Sequence, residues 1–321
     1  MGVLVLGGTG FIGGPLVARL LADGVETAVA HRGARPVASG ARSVVLDRGD
    51  PAAVLAALGE TGATTVIDLL AYTRADTLPL LDALSGRIER YVMASSIDVY
   101  ANYEGLHRKG RPVPVWDRLT EDAALRASRH PYRLARPRRP GDPQAWMDDY
   151  DKIPLEEAAR AASGLEATIL RLPMVFGPGD RQRRFSWAIR PMVQGRARFN
   201  IPHPWAAWRA TFGYVDDVAA GIALAAVHPR AGGETFNLGR ANTPANLAWA
   251  ATFAEHLGWP GDVELVHPDV ARGGLAKAVA GLDLSYPLFI DNAKIRRRLG
   301  YAEVTDFDEA LARTVADEMG R

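Results

Sequence analysis

A chain that runs from a short apolar stretch into clustered glycines and then into a helix has few folds open to it. Val3-Leu4-Val5-Leu6 reads as a buried strand, and Gly7-Gly8-Thr9-Gly10 stops it. Phe11-Ile12-Gly13-Gly14 then opens a helical pattern carried on by Leu16, Val17, Leu20 and Leu21. Glycines at that junction let the backbone turn tightly and approach a pyrophosphate. The anion would then sit on the unpaired N–H groups and the positive dipole end of the helix. Gly7, Gly10 and Gly13 are spaced GxxGxxG and not the commoner GxGxxG. Between a strand and a helix, that spacing predicts a dinucleotide site formed by Gly7, Thr9, Gly10, Phe11, Ile12 and Gly13.

The first half of the chain keeps alternating. Strand patterns at 27–30, 43–46, 65–70 and 90–94 enclose helical ones at 51–58 and 77–84. This order predicts a parallel sheet with helices on both faces and a ligand crevice beyond the carboxyl ends of the strands. From 100 to 149 the pattern dissolves into Pro, Arg, Asp and Trp, and so long an irregular segment is expected to be functional or mobile. A helix at 152–162 and a strand at 167–172 follow, the strand ending in Pro173. A second irregular, basic stretch fills 177–209 around a helical pattern at 185–193. Beyond it come a helix opened by Tyr214-Val215-Asp216-Asp217-Val218, with Asp216 or Asp217 as its cap, a strand at 235–238, a helix at 245–257 and a last helix from 307.

A chain of 321 residues can bury a large core and is long enough to add a second lobe. The formal net charge of +1 gives no global signal for nucleic acid or anionic membrane. Without cysteine, disulfides, thiolate nucleophiles and zinc–thiolate sites are excluded, and the seven histidines show no metal-ligand spacing. No apolar run is long enough to span a bilayer, and the start lacks a basic n-region, so the cytoplasm is the expected location.

Five landmarks recur in one order: the glycine turn at 7–13, YVMASSIDVY at 91–100, RLPMVFGPG at 171–179, YVDDV at 214–218 and DNAKIRRRLGY at 291–301. Together they resemble the extended short-chain dehydrogenase/reductases, the NAD-dependent epimerase/dehydratase group. The resemblance spans nearly the whole chain. It implies an α/β, Rossmann-like, doubly wound parallel sheet with a smaller C-terminal substrate lobe. The dinucleotide-binding domain would cover 1–173 and the substrate lobe 174–321, with about 211–228 returning to the first domain.

In that family a Ser, a Tyr and a Lys do the chemistry. The serine four residues before the VY tyrosine maps onto Ser96, and Lys152, followed four residues later by Glu156, takes the lysine place. The usual Tyr-x-x-x-Lys spacing is broken, because Asp148 stands four residues before Lys152 while Tyr150 stands two before it. Residues two apart on a helix point about 200° apart, so Tyr150 serves as acid/base only if the helix begins at or after it. Asp148-Asp149 resembles an N-terminal cap that would permit this. Otherwise Asp148 moves the proton. A nearby Lys152 ammonium would lower the phenol's pKa.

The cofactor contacts follow by position. A carboxylate ending the second strand would bind the ribose hydroxyls of NAD. Here the strand ends His31-Arg32-Gly33, with Arg35 beyond, which places two guanidiniums where a 2′-phosphate needs them. NADP is therefore the expected cofactor, with NAD as the alternative. The resemblance puts Asp47 at the adenine, Leu70, Ala71 and Tyr72 along the cofactor's middle, and Pro173 and Met174 at the nicotinamide. Lys152 would also bind the nicotinamide ribose.

Substrate candidates are Asp98, Arg181, Trp205, Trp208 and Arg209. The two Trp line a pocket for a flat or apolar substrate or pack the small lobe. The six arginines within 126–139 would suit an anionic partner. The acidic stretch after them and the lack of interleaved aromatics speak against RNA. These features imply an NAD(P)-dependent oxidoreductase or epimerase/dehydratase acting on a nucleotide sugar or secondary metabolite. The alternatives are a redox-neutral lyase, cyclase or dehydratase and a non-catalytic NADP-sensing or RNA-binding member. No metal or membrane partner is expected, and a homodimer is an allowed assembly.

Overall fold

Alternate residues of the opening strand face opposite ways, and that alternation builds the two layers of the core. The computed structural model of the chain describes residues 2–139 and 141–320. In β1 (Gly2–Leu6), Val3 and Val5 join the cluster that contains Leu16, Val17 and Leu20 of α1 (Gly13–Ala22). Leu4 and Leu6 face the other way, toward Val54 and Leu58 of α2 (Pro51–Thr61) and Leu80 and Leu84 of α3 (Arg74–Leu84). A strand covered on both faces reads as a continuous apolar run, as this one does.

Seven parallel strands follow the order β10-β6-β5-β4-β1-β2-β3. They are β1, β2 (Glu26–His31), β3 (Arg42–Val45), β4 (Ala63–Asp68), β5 (Arg90–Ser96), β6 (Glu166–Leu172) and β10 (Thr235–Asn237). The chain winds outward from β1 through β2 and β3, then crosses to β4 on the other side. The crevice at such a reversal is where open α/β sheets bind ligands, and the glycine turn lies there. α5 (Lys152–Ala161) packs beside α3, and α8 (Val215–Val227) lies against α1 on the opposite face.

Local sequence explains most boundaries. Asp50 caps α2 through the N–H groups of Ala52 and Ala53, with Pro51 in the first turn and left-handed Gly62 ending it. Two expected caps are corrected. α5 is capped by Asp151, which accepts from the Ile153 N–H, and not by Asp148 or Asp149. α8 starts after Tyr214 without a side-chain cap. Asp217 instead accepts from the Val304 and Thr305 N–H groups, and Asp216 pairs with Arg313.

The long segment after β5 opens with a buried helix, α4 (Ala101–Leu106), that its sequence did not announce. Beyond β6 lie two small parallel sheets. One joins β7 (Met174–Phe176) to β9 (Phe212–Tyr214), the other β8 (Arg198–Pro202) to β11 (Asp262–Val266). Around them stand α6 (Ser186–Val193), α7 (His203–Ala207), α9 (Asn246–Leu257), α10 (Gly274–Val279), α11 (Ala293–Leu299) and α12 (Phe307–Met319). Phe185, Phe212, Trp249 and Phe253 fill the centre, with Phe185 ring centroids 4.7 Å from both Phe212 and Trp249. No helix among the described residues is long and apolar enough to cross a membrane.

Candidate active site

The glycines of the first turn divide their work. Gly7 has φ +92°, and a Cβ on it would lie 2.9 Å from Leu70 Cγ. At Gly13 a Cβ would fall 2.2 Å from the Gly7 carbonyl oxygen, so this glycine lets helix and strand pack. At Gly10 the same atom would meet only the Gly7 oxygen, at 3.3 Å, and otherwise open space. No side chain caps α1; the Gly14 N–H is taken by the Gly10 carbonyl at 3.0 Å and Pro15 has none, so an external acceptor would be met by the N–H groups of residues 11–13. These features fit a dinucleotide pyrophosphate resting on Gly10 and the start of α1.

A basic rim borders this turn. Arg35 Nη1 donates to the Thr9 carbonyl at 3.3 Å, and Arg32 is exposed. His31 Nδ1 accepts from the Gly33 N–H at 3.0 Å, so its Nε2 carries the proton and donates to Ser43 Oγ at 2.7 Å. Asp47 is exposed beside it and accepts from the Gly49 N–H.

Ser96 ends β5, and Tyr150 and Lys152 flank the start of α5. Because Asp151 is the cap, Tyr150 lies before the helix and escapes the two-residue phase problem. Its hydroxyl donates to Asp98 Oδ2 at 2.9 Å. Burial first, then the Asp98 charge and that hydrogen bond, push the phenol well above its usual range, while the Ser96 hydroxyl opposes them. The expectation that Lys152 would pull the phenol down is not met. Lys152 is 3% exposed and donates from Nζ to the carbonyls of Ala71 and Ala94, 5.5 Å from the Tyr150 ring centroid. Burial pulls its ammonium down to about 8. Tyr72 lies under the same ammonium at 4.9 Å and stacks on Trp146 at 4.6 Å.

Buried ion pairs that sequence reading missed brace this floor. Arg48 grips Asp68 at the end of β4, where Asp68 also accepts from Tyr91 Oη at 2.7 Å and the Leu70 N–H at 2.8 Å. Glu156 accepts from Ser95 Oγ, from Arg171 Nε at 3.0 Å and Nη2 at 2.8 Å, and from Arg160. Arg171 in turn meets Tyr100 Oη, which donates to Asn237. One network thus ties the Ser96 strand to α5 and β10.

The other candidates are placed apart by their partners. Asp148 accepts from the Arg138 N–H at 2.7 Å and pairs with its guanidinium, which holds its carboxyl below the usual range. Trp208 is buried and donates from Nε1 to the Tyr286 carbonyl, with Trp205 stacked on it at 5.2 Å. Arg209 donates twice to the Thr243 carbonyl and lies over Phe289. Arg181 is exposed. Pro173 is buried against Gly213 and Gly239, and Met174 is half-buried. The arginine run folds onto the acids that follow it: Arg126 pairs with Asp151, Arg133 with Asp149, and Arg138 with Asp148.

This sheet and glycine turn define an α/β fold of the dinucleotide-binding class. The NAD dependent epimerase/dehydratase family model matches residues 3–136 and 152–239, and the chain belongs to that family. The match skips 137–151, the stretch that carries Tyr150. A 3-diazoavenalumate denitrifying reductase from Streptomyces sp. is 30% identical over 275 residues, covering 81% of this chain and 83% of the relative. The chloroplast stem-loop binding protein of 41 kDa b from Arabidopsis thaliana is 24% identical over 335 residues, covering 99% and 79%. Among solved structures, the UDP-glucose 4-epimerase of Thermus thermophilus, in complex with NAD, superposes with a TM-score of 0.68. It is 23% identical and covers 100% of this chain and 99% of that one.

Proposed function

We propose that the chain is an NADP(H)-preferring oxidoreductase or epimerase/dehydratase acting on the carbonyl or alcohol of a small molecule. The observation that carries this reading is the grouping of Ser96, Tyr150 and Lys152 at the carboxyl end of β5, in the same parallel sheet whose β1 leads into the glycine turn. Ser96 would hold the substrate oxygen and Tyr150 exchange its proton. Lys152, fixed by two backbone carbonyls, would face the nicotinamide ribose. A bound nicotinamide supplies the hydride donor or acceptor. Tyr72 and Trp146 form an aromatic wall suited to the flat part of a substrate, whether a nucleotide sugar or a secondary metabolite. Residues 174–321, apart from about 211–228, would form the substrate lobe.

The preference for NADP(H) rests on Arg32 and Arg35 beside the turn, with no acid ending β2. One or two charge-assisted contacts to a 2′-phosphate are worth about 1.5–3 kcal/mol, or roughly ten- to a hundred-fold. Calorimetry on the purified protein should therefore show tighter binding of NADP(H) than NAD(H). Arg32→Ala with Arg35→Ala should level the two. Equal affinities in the unaltered protein would sink the preference. Consumption of reduced cofactor over a panel of carbonyl substrates tests the activity itself.

A further inference from the structure

We propose that Asp98 is the terminal proton acceptor of this site, reached through Tyr150, and that Tyr132 is the positioning residue that sets its proton affinity. The inference rests on the reading of the site given above. Asp98 is 2% exposed, in the short turn just after β5. Its Oδ2 accepts two phenols at once, Tyr150 Oη and Tyr132 Oη, each at 2.9 Å. Among the described residues its Oδ1 has no hydrogen-bond partner, although it is buried. A buried carboxylate oxygen left unpaired is costly, and a carboxyl in that state is readily protonated.

The direction of the Tyr150 hydrogen bond decides the route. The phenol points its proton at Asp98, so toward a substrate hydroxyl it presents an oxygen lone pair. For an alcohol, the substrate O–H bond breaks and its proton goes to Tyr150 Oη. The Tyr150 O–H bond breaks and that proton goes to Asp98 Oδ2. A bound oxidised nicotinamide would supply the acceptor for the substrate C–H hydrogen and its electron pair, so that atoms and electrons balance as the alcohol becomes a carbonyl. Reduction runs the same transfers backward, starting from protonated Asp98. Lys152 is not in this path, because its ammonium is held by Ala71 and Ala94.

The groups facing Asp98 come from three directions. Tyr150 and Lys152 approach from the start of α5, Tyr103 from α4, and Arg126 and Tyr132 from the segment beyond. Arg126 donates to the Asp98 carbonyl at 3.0 Å and pairs with Asp151. Burial raises the Asp98 carboxyl, and Arg126, the two phenols and Lys152 partly offset the rise. The Tyr132 ring packs edge-on against Tyr150, with centroids 5.0 Å apart, which fixes its hydroxyl on Oδ2.

Two measurements test this. The first needs neither cofactor nor substrate: tyrosine ionisation followed by ultraviolet difference absorbance as pH rises. Removing the anion beside two phenols favours both phenolates, so in Asp98→Asn Tyr150 and Tyr132 should each titrate earlier than in the unaltered protein. Asp98→Asn combined with Tyr150→Phe should lose one of the two early-titrating tyrosines and keep the other, that of Tyr132. The second is the pH profile of kcat/KM for alcohol oxidation. Tyr132→Phe removes a hydrogen bond to the charged carboxylate, so the carboxyl holds its proton to higher pH and the acid limb moves up. At the acid end the rate should fall by about tenfold more than on the plateau. Asp98→Asn should lower kcat by about 10²–10⁴-fold with KM little changed. A tyrosine titration unaltered in Asp98→Asn, or an acid limb unmoved in Tyr132→Phe, overturns the proposal. If no substrate is turned over, the absorbance titration still decides the place of Asp98, and the enzymatic reading fails separately.

Discussion

The cap of α5 decides which side chain is free to handle the proton in the proposed reaction. With Asp151 as cap, Tyr150 stands in extended chain and reaches Asp98, whereas Asp148 is already held by Arg138. A carboxylate held below its usual range by an arginine is a poor proton donor near neutrality. Tyr150→Phe should therefore lower kcat by about 10²–10⁴-fold with cofactor affinity little changed. Asp148→Asn should keep most of the activity. Steady-state kinetics with a common substrate checks both. A dead Asp148→Asn beside a near-normal Tyr150→Phe would instead favour redox-neutral proton transfer by the carboxylate.

At the scale of elements, the turn between β1 and α1 separates folding from binding. Gly13→Val drives a side chain into the Gly7 carbonyl and should unfold or strongly destabilise the protein, read as a lower Tm. Gly10→Val meets only one backbone atom at 3.3 Å, so the fold should survive while calorimetry shows no dinucleotide binding. Normal cofactor affinity in Gly10→Val would reduce the turn to a structural one. Elements like these were legible because local signals agree. The apolar run Val3-Leu4-Val5-Leu6, the glycines and the Leu16-Val17-Leu20 stripe each point to the same βα unit. α4 was not legible, since Asn102, Glu104 and Gly105 give it no apolar stripe. Its burial comes from long-range bonds such as Asn102 Nδ2 to the carbonyls of Val115 and Pro287. β8 and β11 were hidden for a similar reason, as each is short, half-exposed and paired with a strand about sixty residues away. In the candidate site, motifs pointed to Ser96 at the end of β5 and to Lys152 at the start of α5. Tyr132 and Arg126 could not, because their role depends on partners that only the tertiary fold brings near.

Across the whole molecule, the segment between β5 and α5 is held by its own charges. Arg126 is buried, pairs with Asp151, and donates to the Asp98 and Ser128 carbonyls. Removing one partner of a buried pair leaves the other charge unpaired and costs about 3–5 kcal/mol. Arg126→Met should lose stability of that order in urea unfolding. It should also gain protease cuts within 107–149, seen by mass spectrometry of the fragments. Unchanged stability and an unchanged cutting pattern would show that the pair does not hold the segment. The same arginine sets the limits of a transplantable module. Segment 107–149 looks like an insertion that could be exchanged among relatives, yet its anchor residue binds the turn before it and the helix cap after it. A graft cut at its visible edges would strand a cation in one parent and an anion in the other. The smallest stretch that keeps this anchor whole therefore runs from Asp98 to Lys152, and it carries Asp98, the two phenols and Lys152 along with the loop, while Tyr100 and Asn102 still need their partners Arg171, Asn237 and Pro287 in the host.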